Sequence, residues 1–323
     1  MTAEGVNFYS PCVLVLIALG GNAMTGPDGS ARPGEQIAAI RRAAEPIADL
    51  AASGVTVAVT HGNGPQVGNL LTKNELAAGI VPPVPLDWCV AQTQGTLGFI
   101  LVTELERALA RRGVERPVAS VVSRTLVDHD DPAFTEPTKP IGRYLPAEQA
   151  APLIEHGQTW RDFGDRGWRR VVASPRPRQV LDVAAARALL TAGFIVVAGG
   201  GGGIPMAYNA DRELVGVEAV IDKDLNAALL GRELGADILV IATDVPHAVV
   251  GYGTPDAQPL GAISVEELRR YAVAGHFGSG SMGPKVEAAC RFVEAGGTRA
   301  VITSLDQIAA GVRGETGTVV TAS

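Results

Sequence analysis

The chain has 323 residues, of which 46% are hydrophobic and 19% are charged, so it can bury a large core in one large or two moderate domains. Its formal net charge of −7 disfavours binding to nucleic acid or to an anionic membrane through bulk electrostatics. No apolar run approaches the roughly 20 residues of a membrane helix, and the three cysteines form no Cys-x-x-Cys pair. We therefore expect a cytoplasmic protein whose anionic ligands, if any, bind in a locally basic pocket.

The first apolar run, residues 12–19, predicts a strand that is buried on both faces at the centre of a parallel sheet. It ends in Gly20, Gly21 and Asn22. Two glycines leave backbone amides open to a ligand, and an asparagine side chain can both donate and accept. Because ligands of open α/β sheets lie beyond the carboxyl ends of the strands, this turn is the first candidate site.

The next segments predict a helix and a second strand. A helix is expected over residues 34–53, with a kink or break at Pro46, and a strand over residues 55–60. The motif at residues 61–68 follows, and Pro65 within it is expected to begin a helix whose N-terminal amides face the first turn.

Helices and strands continue to alternate along the chain. Helices are predicted over residues 86–112, 180–191 and 223–234, with two more beginning at Ser264 and at the Gly283-Pro284 step, and strands over residues 118–122, 194–198, 238–242, 300–303 and 318–321. This alternation predicts an α/β fold, a sandwich of helices around a parallel sheet.

Residues 126–178 interrupt the alternation, since they are rich in Pro, Asp, Gly and aromatic residues. A structureless loop of this length is improbable inside a compact domain. We interpret the segment as an inserted subdomain, or flap, that carries Lys139 to the site.

Lysine is rare in this sequence. Only four of the 27 basic residues are lysines: Lys73, Lys139, Lys223 and Lys285. Where a positive charge alone is needed, the chain uses arginine, so the three lysines in Gly- or Pro-marked motifs indicate a need for a compact ammonium group, as at a phosphate. Lys73 is interpreted as a surface residue.

Several common sites are disfavoured. Residues 278–285 differ from a P-loop because the lysine comes one position late and Pro284 lacks an N–H, and residues 199–203 do not open directly into a helix as a dinucleotide motif would. The five histidines show no metal-ligand spacing, and we assign no metal-binding residues. His61 is interpreted as an orienting residue rather than a base. Glycine turns at strand ends, three lysines and few acids instead suit phosphoryl transfer, which depends on positioning and charge neutralisation.

The chain resembles the carbamate kinases of the amino acid kinase superfamily from about residue 13 to residue 320. The motifs that carry the resemblance occur in the family's order at residues 18–23, 61–68, 131–142, 167–172, 199–205, 220–224, 275–287 and 302–305. The resemblance implies a three-layer αβα sandwich around a mainly parallel sheet of about eight strands, a protruding inserted subdomain and a homodimer. It also implies an acceptor lobe at residues 1–215, with the flap at about 126–178, and a nucleotide-binding lobe at residues 216–323.

The activity implied by the resemblance is Mg²⁺-dependent phosphoryl transfer from ATP to carbamate, giving ADP and carbamoyl phosphate, and often run in reverse to make ATP. The residues implied to hold carbamate and the phosphoryl group are Gly20, Gly21, Asn22, Gly62, Asn63 and Gly64. The residues implied to be catalytic are Lys139, Lys223 and Lys285, which neutralise the phosphates, and Asp224, which orients the lysines.

The nucleotide would lie against residues 244–255 and the loop before Lys285. The residues implied to bind it are Asp244, Tyr252, Met282, Gly283 and Lys285. This segment departs from the family, because residues 249–253 read Val-Val-Gly-Tyr-Gly where many carbamate kinases have Tyr-x-Asn-Tyr/Trp-Gly.

Two other functions are compatible with the sequence. One is a kinase that acts on another small acid, and the other is a non-catalytic nucleotide-binding protein of the same fold. The intact set of lysines with Asp224 argues against the second, since a sensor has no need for the transfer machinery.

Overall fold

The computed structural model describes residues 13–26, 31–278 and 281–323, without the side chain of Asn22. Cys12, the predicted start of the first strand, lies outside these residues. Within them the helices are α1 Pro33–Ala52, α2 Gly64–Ala77, α3 Leu86–Ala110, α4 Ala147–Glu155, α5 Val183–Thr191, α6 Lys223–Leu234, α7 Val265–Val273, α8 Met282–Glu294 and α9 Ile308–Arg313.

The strands of the described residues belong to one large sheet and three small ones. They are β1 Leu14–Leu19, β2 Thr56–His61, β3 Val118–Ser120, β4 Arg124–Val127, β5 Lys139–Leu145, β6 Trp160–Asp162, β7 Trp168–Val172, β8 Pro177–Val180, β9 Ile195–Val197, β10 Ile204–Tyr208, β11 Leu214–Gly216, β12 Ile238–Thr243, β13 Val249–Val250, β14 Gln258–Pro259, β15 Ala262–Ser264, β16 Arg299–Ser304 and β17 Thr318–Thr321.

The large sheet has eight strands in the order β15-β17-β16-β12-β1-β2-β9-β3. The six strands from β16 to β3 run parallel, whereas β17 runs antiparallel to β16 and pairs in parallel with β15 at the edge. β1 is central, and Leu19 at its end lies between His61 of β2 and Ala242 of β12. The carboxyl ends of these three strands therefore meet at one edge of the sheet, as the sequence predicts.

Both faces of the sheet are covered by helices. Ile17 of β1 packs into a core that includes Ile47 of α1 and Leu101 of α3, whereas the preceding residue, Leu16, packs into a second core with Phe292 of α8. Successive side chains of a strand point to opposite faces, so the two cores lie on opposite sides of the sheet. The predicted three-layer sandwich is confirmed.

The segment predicted to be a flap forms its own small sheet, β5-β7-β6, which is antiparallel and packs with α4 around Leu145, Ala150 and Trp160. It leaves and returns through β4 and β8, which belong to a four-stranded sheet with β10 and β11. The boundary between lobes at residues 215 and 216 stays a prediction.

Some local expectations differ from the structure. Pro46 lies inside α1, which continues from Pro33 to Ala52, so the helix is not divided. The strands β10 and β11, the edge strand β15 and the short helix α9 were not predicted, because each is too short to show a periodic pattern. Among the described residues, no helix is long and apolar enough to cross a membrane.

Candidate active site

The two glycines of the turn after β1 have different surroundings. Gly20 donates its N–H to the carbonyl oxygen of Ala242 at 2.9 Å, and a Cβ on Gly20 would lie 2.9 Å from the same oxygen. The Gly20 amide is thus engaged by β12 rather than open to a ligand, which corrects our expectation. Gly21 has open space at its Cβ position and lines a cavity. The side chain of Asn22 lies outside the described residues.

This cavity, of about 260 Å³, brings together most of the residues predicted for substrate binding and catalysis. The predicted residues that line it are Gly21, Gly62, Asn63, Gly64, Lys139, Lys223, Asp224 and Lys285. They come from the ends of β1 and β2, the start of α2, the flap strand β5, and the first turns of α6 and α8. We refer to it below as the lysine cavity.

Two of the lysines share one carboxylate. Lys223 Nζ lies 2.5 Å from Asp224 Oδ1, and Lys285 Nζ lies 3.1 Å from Asp224 Oδ2. The two ammonium groups are therefore held together although Asp224 and Lys285 lie 61 residues apart in the chain. The stem of Lys223 also lies against the second turn, because a Cβ on Gly62 would be 3.1 Å from Lys223 Cδ.

Burial and charge oppose each other at this carboxylate. The Asp224 side chain is only 5% exposed, and burial raises its pKa, but the charges and hydrogen bonds of Lys223 and Lys285 outweigh burial and hold the pKa below its usual value. At Lys223, burial lowers the pKa, and the attraction of Asp224 opposes this shift only in part. Asp224 is thus an anion at neutral pH.

The third lysine is held by a carboxylate that the sequence analysis did not assign. Lys139 Nζ lies 2.9 Å from Oδ2 of Asp222, and the other oxygen of Asp222 accepts N–H groups of Asp224 and Leu225 at the start of α6. Asp222 also lines the lysine cavity. A sequence signal for it exists, since an aspartate directly before a helix is a strong N-cap.

The glycine run at residues 199–203 packs against the turn after β2. A Cβ on Gly200 would lie 2.4 Å from His61 Nε2, and a Cβ on Gly201 would lie 2.1 Å from Asn63 Nδ2. The run therefore gives room to side chains of the 61–68 motif. Of these five residues, only Gly201 lines the lysine cavity.

His61 is buried beside the lysine cavity. Its Nδ1 donates to the carbonyl oxygen of Gly62 at 2.9 Å. Burial, opposed by the hydrogen bond to Gly62 and assisted by the charge of Lys223, lowers the pKa of His61 to about 4. The ring is therefore neutral at pH 7 and is hydrogen-bonded to the turn after β2, and its role as an orienting residue stays a prediction.

Two polar residues of α3, also missed in the sequence, fix these loops. Thr93 Oγ1 accepts from Asn63 Nδ2 at 2.8 Å. Gln94 accepts the Ser123 N–H at 2.8 Å and donates to the carbonyl oxygens of Ser123 and Gly200 at 3.0 and 2.9 Å. Both side chains are buried, and buried polar groups are normally hydrogen-bonded, so their role becomes visible only in the packed structure.

A second cavity, of about 280 Å³, adjoins the lysine cavity and shares Ser281 and Lys285 with it. The residues predicted for nucleotide binding that line it are Asp244, Tyr252, Met282 and Lys285. Tyr252 is 80% exposed. The fifth, Gly283, does not line it; its Cβ position is 3.0 Å from the Gly278 carbonyl oxygen, so a side chain there would press on the preceding loop.

A third cavity opens on the opposite side. It has a volume of about 630 Å³ and lies between α2 and the flap, sharing Gly64, Pro65, Pro140 and Ile141 with the lysine cavity. The charged residues that line it are Arg32, Arg143 and Arg169. The lysine cavity therefore lies between two larger openings.

The model of the amino acid kinase family matches residues 13–304. The carbamate kinase of Thermococcus kodakarensis is 48% identical over 95% of this chain and 98% of its own length. The chain belongs to the carbamate kinase branch of the amino acid kinase family. Another relative at similar coverage is the carbamate kinase-like protein YahI of Escherichia coli, which is 42% identical over 94% of this chain and 98% of its own length.

Solved carbamate kinases share the fold. The carbamate kinase from Giardia lamblia bound to AMP-PNP is 38% identical, covers 96% of this chain and 98% of its own, and has a TM-score of 0.90. The expected family and fold class are thus confirmed over nearly the whole chain.

Proposed function

We propose that the protein is a carbamate kinase, which transfers a phosphoryl group reversibly between ATP and carbamate and yields ADP and carbamoyl phosphate. The observation that carries the proposal is the convergence of three of the chain's four lysines on one cavity at the ends of the central strands. The carbamate kinase relatives at 48% identity support the choice of acceptor.

In the forward direction, a carbamate oxygen forms a bond to the γ-phosphorus of ATP while the bond from that phosphorus to the β-bridging oxygen breaks, and ADP leaves with the electron pair. Carbamate is already an anion, so no residue needs to remove a proton from it. The protein's work is to hold the two anions in line and to neutralise the charge of the migrating group.

We assign the acceptor to the strand-end turns and the phosphates to the lysines. The turn at Gly62, Asn63 and Gly64 and the amide of Gly21 would hold carbamate, and Lys139, Lys223 and Lys285 would contact the phosphoryl oxygens. Asp224 would not take a proton, because both of its oxygens already accept from ammonium groups. It would keep two like charges close enough to grip one phosphate.

The nucleotide would occupy the cavity that shares Lys285 with the lysine cavity. Its adenine would pack near Tyr252 and Met282, and its phosphates would extend toward Lys285.

Among the described residues, no group of three or more His, Cys, Asp or Glu side chains is arranged to hold a metal ion. Mg²⁺ would therefore arrive bound to the nucleotide phosphates, which is its usual mode in kinases. Nucleotide binding would then fall in the proposed lobe at residues 216–323, and ADP should protect amides of that lobe from hydrogen exchange.

We also propose that the protein is a homodimer formed through α3. Trp88 and Phe99 are 60% and 69% exposed, and eleven residues on a helix place both side chains on nearly the same face. Exposed aromatic residues on one helix face are typical of a protein interface. Sedimentation equilibrium should give the mass of two chains, and a monomer at micromolar concentration would refute the proposal.

A coupled assay tests the reaction and separates it from the alternative of another small-acid kinase. ADP, Mg²⁺ and either carbamoyl phosphate or acetyl phosphate are supplied, and ATP formation is followed. We expect kcat/KM for carbamoyl phosphate to exceed that for acetyl phosphate by at least tenfold. A preference for acetyl phosphate would favour the alternative, and ATP formation from neither would favour a non-catalytic role.

A further inference from the structure

Asp222 uses its two carboxylate oxygens for different parts of the molecule. Oδ1 accepts the N–H groups of Asp224 at 2.9 Å and Leu225 at 3.2 Å, so it caps the start of α6. Oδ2 accepts from Lys139 Nζ at 2.9 Å, and Lys139 is the first residue of the flap strand β5. One side chain thus joins the flap to the helix that carries Lys223.

The need for such a partner follows from the exposure of Lys139. Its side chain is 40% exposed, whereas those of Lys223 and Lys285 are 16% and 12% exposed. A lysine has four rotatable bonds, so an exposed ammonium group on a flap samples many positions unless a partner restricts it. Asp222, at 14% exposure, is itself fixed by the backbone of α6.

The backbone near Asp222 is also tied to the flap. Ala173, just beyond β7, forms a parallel bridge with Ala219, and its carbonyl oxygen accepts the Val220 N–H at 3.0 Å. On the other side, β5 packs closely on α2, since a Cβ on Gly68 would lie 3.3 Å from the Cα of Gly142. The base of the flap is therefore held near Asp222, which leaves the Lys139 side chain as the part that must still be placed.

We propose that Asp222 is a positioning residue for phosphoryl transfer, which holds Lys139 over the lysine cavity and aligns it with Lys223. The inference rests on the proposed function. Asp224 pairs with the lysines of α6 and α8, and Asp222 pairs with the lysine of the flap. These two aspartates therefore position all three ammonium groups. A displacement of about 1 Å of a catalytic group can lower a rate by roughly 100-fold.

The competing explanation is that Asp222 is only a helix cap. Two variants separate the roles, because both asparagine and serine are good N-caps but neither supplies a carboxylate to Lys139. For Asp222→Asn and Asp222→Ser we expect thermal unfolding close to that of the wild type, kcat for ATP formation lowered at least tenfold, and KM for ADP changed less than twofold. Turnover within twofold of wild type in both variants would overturn the proposal.

A double-mutant cycle tests the partnership itself. If Asp222 acts through Lys139, then Asp222→Asn should lower kcat no further in a Lys139→Ala background, whereas its effect should persist in a Lys285→Ala background. Equal effects of Asp222→Asn in both backgrounds would show that it acts on the fold or on another group, and would overturn the proposal.

A readout that needs no activity separates failure of this inference from failure of the proposed function. In the ligand-free protein, acetylation of Lys139 by acetic anhydride, followed by mass spectrometry, should be at least threefold faster in Asp222→Asn than in wild type, with the exposed Lys73 as internal reference. An unchanged rate would refute the pairing even if the wild type proves to be a carbamate kinase. A faster rate in a wild type that forms no ATP would refute the function and leave the pairing intact.

Discussion

At the scale of single residues, the site depends on carboxylates that bring positive charges together. Without Asp224, the ammonium groups of Lys223 and Lys285 would lie close together in a buried site and lose the carboxylate that pairs them. Buried ions are costly unless they are paired. The two lysines held by Asp224 thus keep positive charge at the position where a phosphoryl group would carry negative charge.

Removing one of these lysines should affect turnover far more than stability. We expect Lys223→Ala or Lys285→Ala to lower kcat at least about 100-fold, the scale seen when one preorganised charge-stabilising group is lost. The matched control is Lys73→Ala, which removes the one lysine of the four that lies outside the cavity and is exposed on α2. Steady-state kinetics of ATP formation measure the effect, and near-normal kcat in both cavity variants would contradict the assigned roles.

The buried His61 predicts a pH dependence of stability. Its pKa in the folded protein is about 4, below the ordinary value of 6.5, so the unfolded chain binds a proton that the folded chain does not between these pH values. The free energy of unfolding should therefore fall as pH falls from 6.5 to 4, by up to about 1.4 kcal/mol per pH unit from this residue. His61→Gln should reduce that slope, as measured by urea denaturation across the window.

The matched control is His156→Gln, which makes the same substitution at an exposed position. An identical pH slope in wild type and His61→Gln would show that His61 is not held neutral in the folded state. Asp224, whose pKa is lowered from its ordinary value of 3.8, adds to the slope only near the acid end of the window, and it is present in both proteins, so the comparison isolates His61.

The sequence predicted some of these residues and missed others for identifiable reasons. The three lysines could be selected because lysine is rare in this chain and each lies in a Gly- or Pro-marked motif. The position of Asp222 before α6 indicates a helix cap but not its pairing with Lys139, because that partner lies 83 residues away on the flap. Thr93 and Gln94 sit in a long helical segment and reveal their role only when α3 is packed beneath the loops.

At the scale of elements, the site is a set of turns at the ends of parallel strands. The glycine run at residues 199–203 packs against one of them, the turn after β2. Gly201 has a φ of +67° and lies against Asn63. The run forms the turn between β9 and β10, and its lack of side chains makes room for the turn after β2. Such a close approach between segments about 140 residues apart has no signature in the local sequence.

A methyl group at Gly201 should therefore disturb the neighbouring turn. Gly201→Ala places a Cβ 2.1 Å from Asn63 Nδ2 and adds about 1–2 kcal/mol of backbone strain from the left-handed conformation. We expect the free energy of unfolding to fall by more than about 1 kcal/mol and KM for carbamoyl phosphate to rise.

Gly34→Ala is the control for this substitution, since Gly34 lies in α1 with open space at its Cβ position. Its unfolding free energy should stay the same or rise by up to about 1 kcal/mol. Chemical denaturation of both variants checks the contrast. Equal stability of the two alanine variants would mean that the loop shifts freely and does not support Asn63.

At the scale of the whole molecule, three cavities adjoin one another across the carboxyl edge of the sheet. The lysine cavity shares lining residues with the cavity at Tyr252 on one side and with the arginine-lined cavity beneath the flap on the other. If the proposed sites are correct, a nucleotide and a small anion would reach the lysines from different cavities. Direct transfer between them then needs no intermediate on the protein.

The overall architecture was the part best predicted from sequence. Continuous apolar runs such as that of β1 indicate buried parallel strands, and they alternate regularly with helices on both sides of the flap. The reversal of β17 could not be predicted, because a short apolar strand reads the same in either direction. The packing of the flap on α2 also depends on tertiary contacts that no local pattern encodes.

The most direct test of the account follows the phosphoryl group itself. Carbamoyl phosphate with a radiolabelled phosphoryl group is mixed with ADP, Mg²⁺ and the wild-type protein, and the products are separated after a single turnover. The account predicts that the label appears in the γ-phosphate of ATP, and that Lys285→Ala yields at most about one hundredth of this label in the same time. Release of the label only as inorganic phosphate, with none in ATP, would contradict the claim that the converging lysines transfer it between the two substrates.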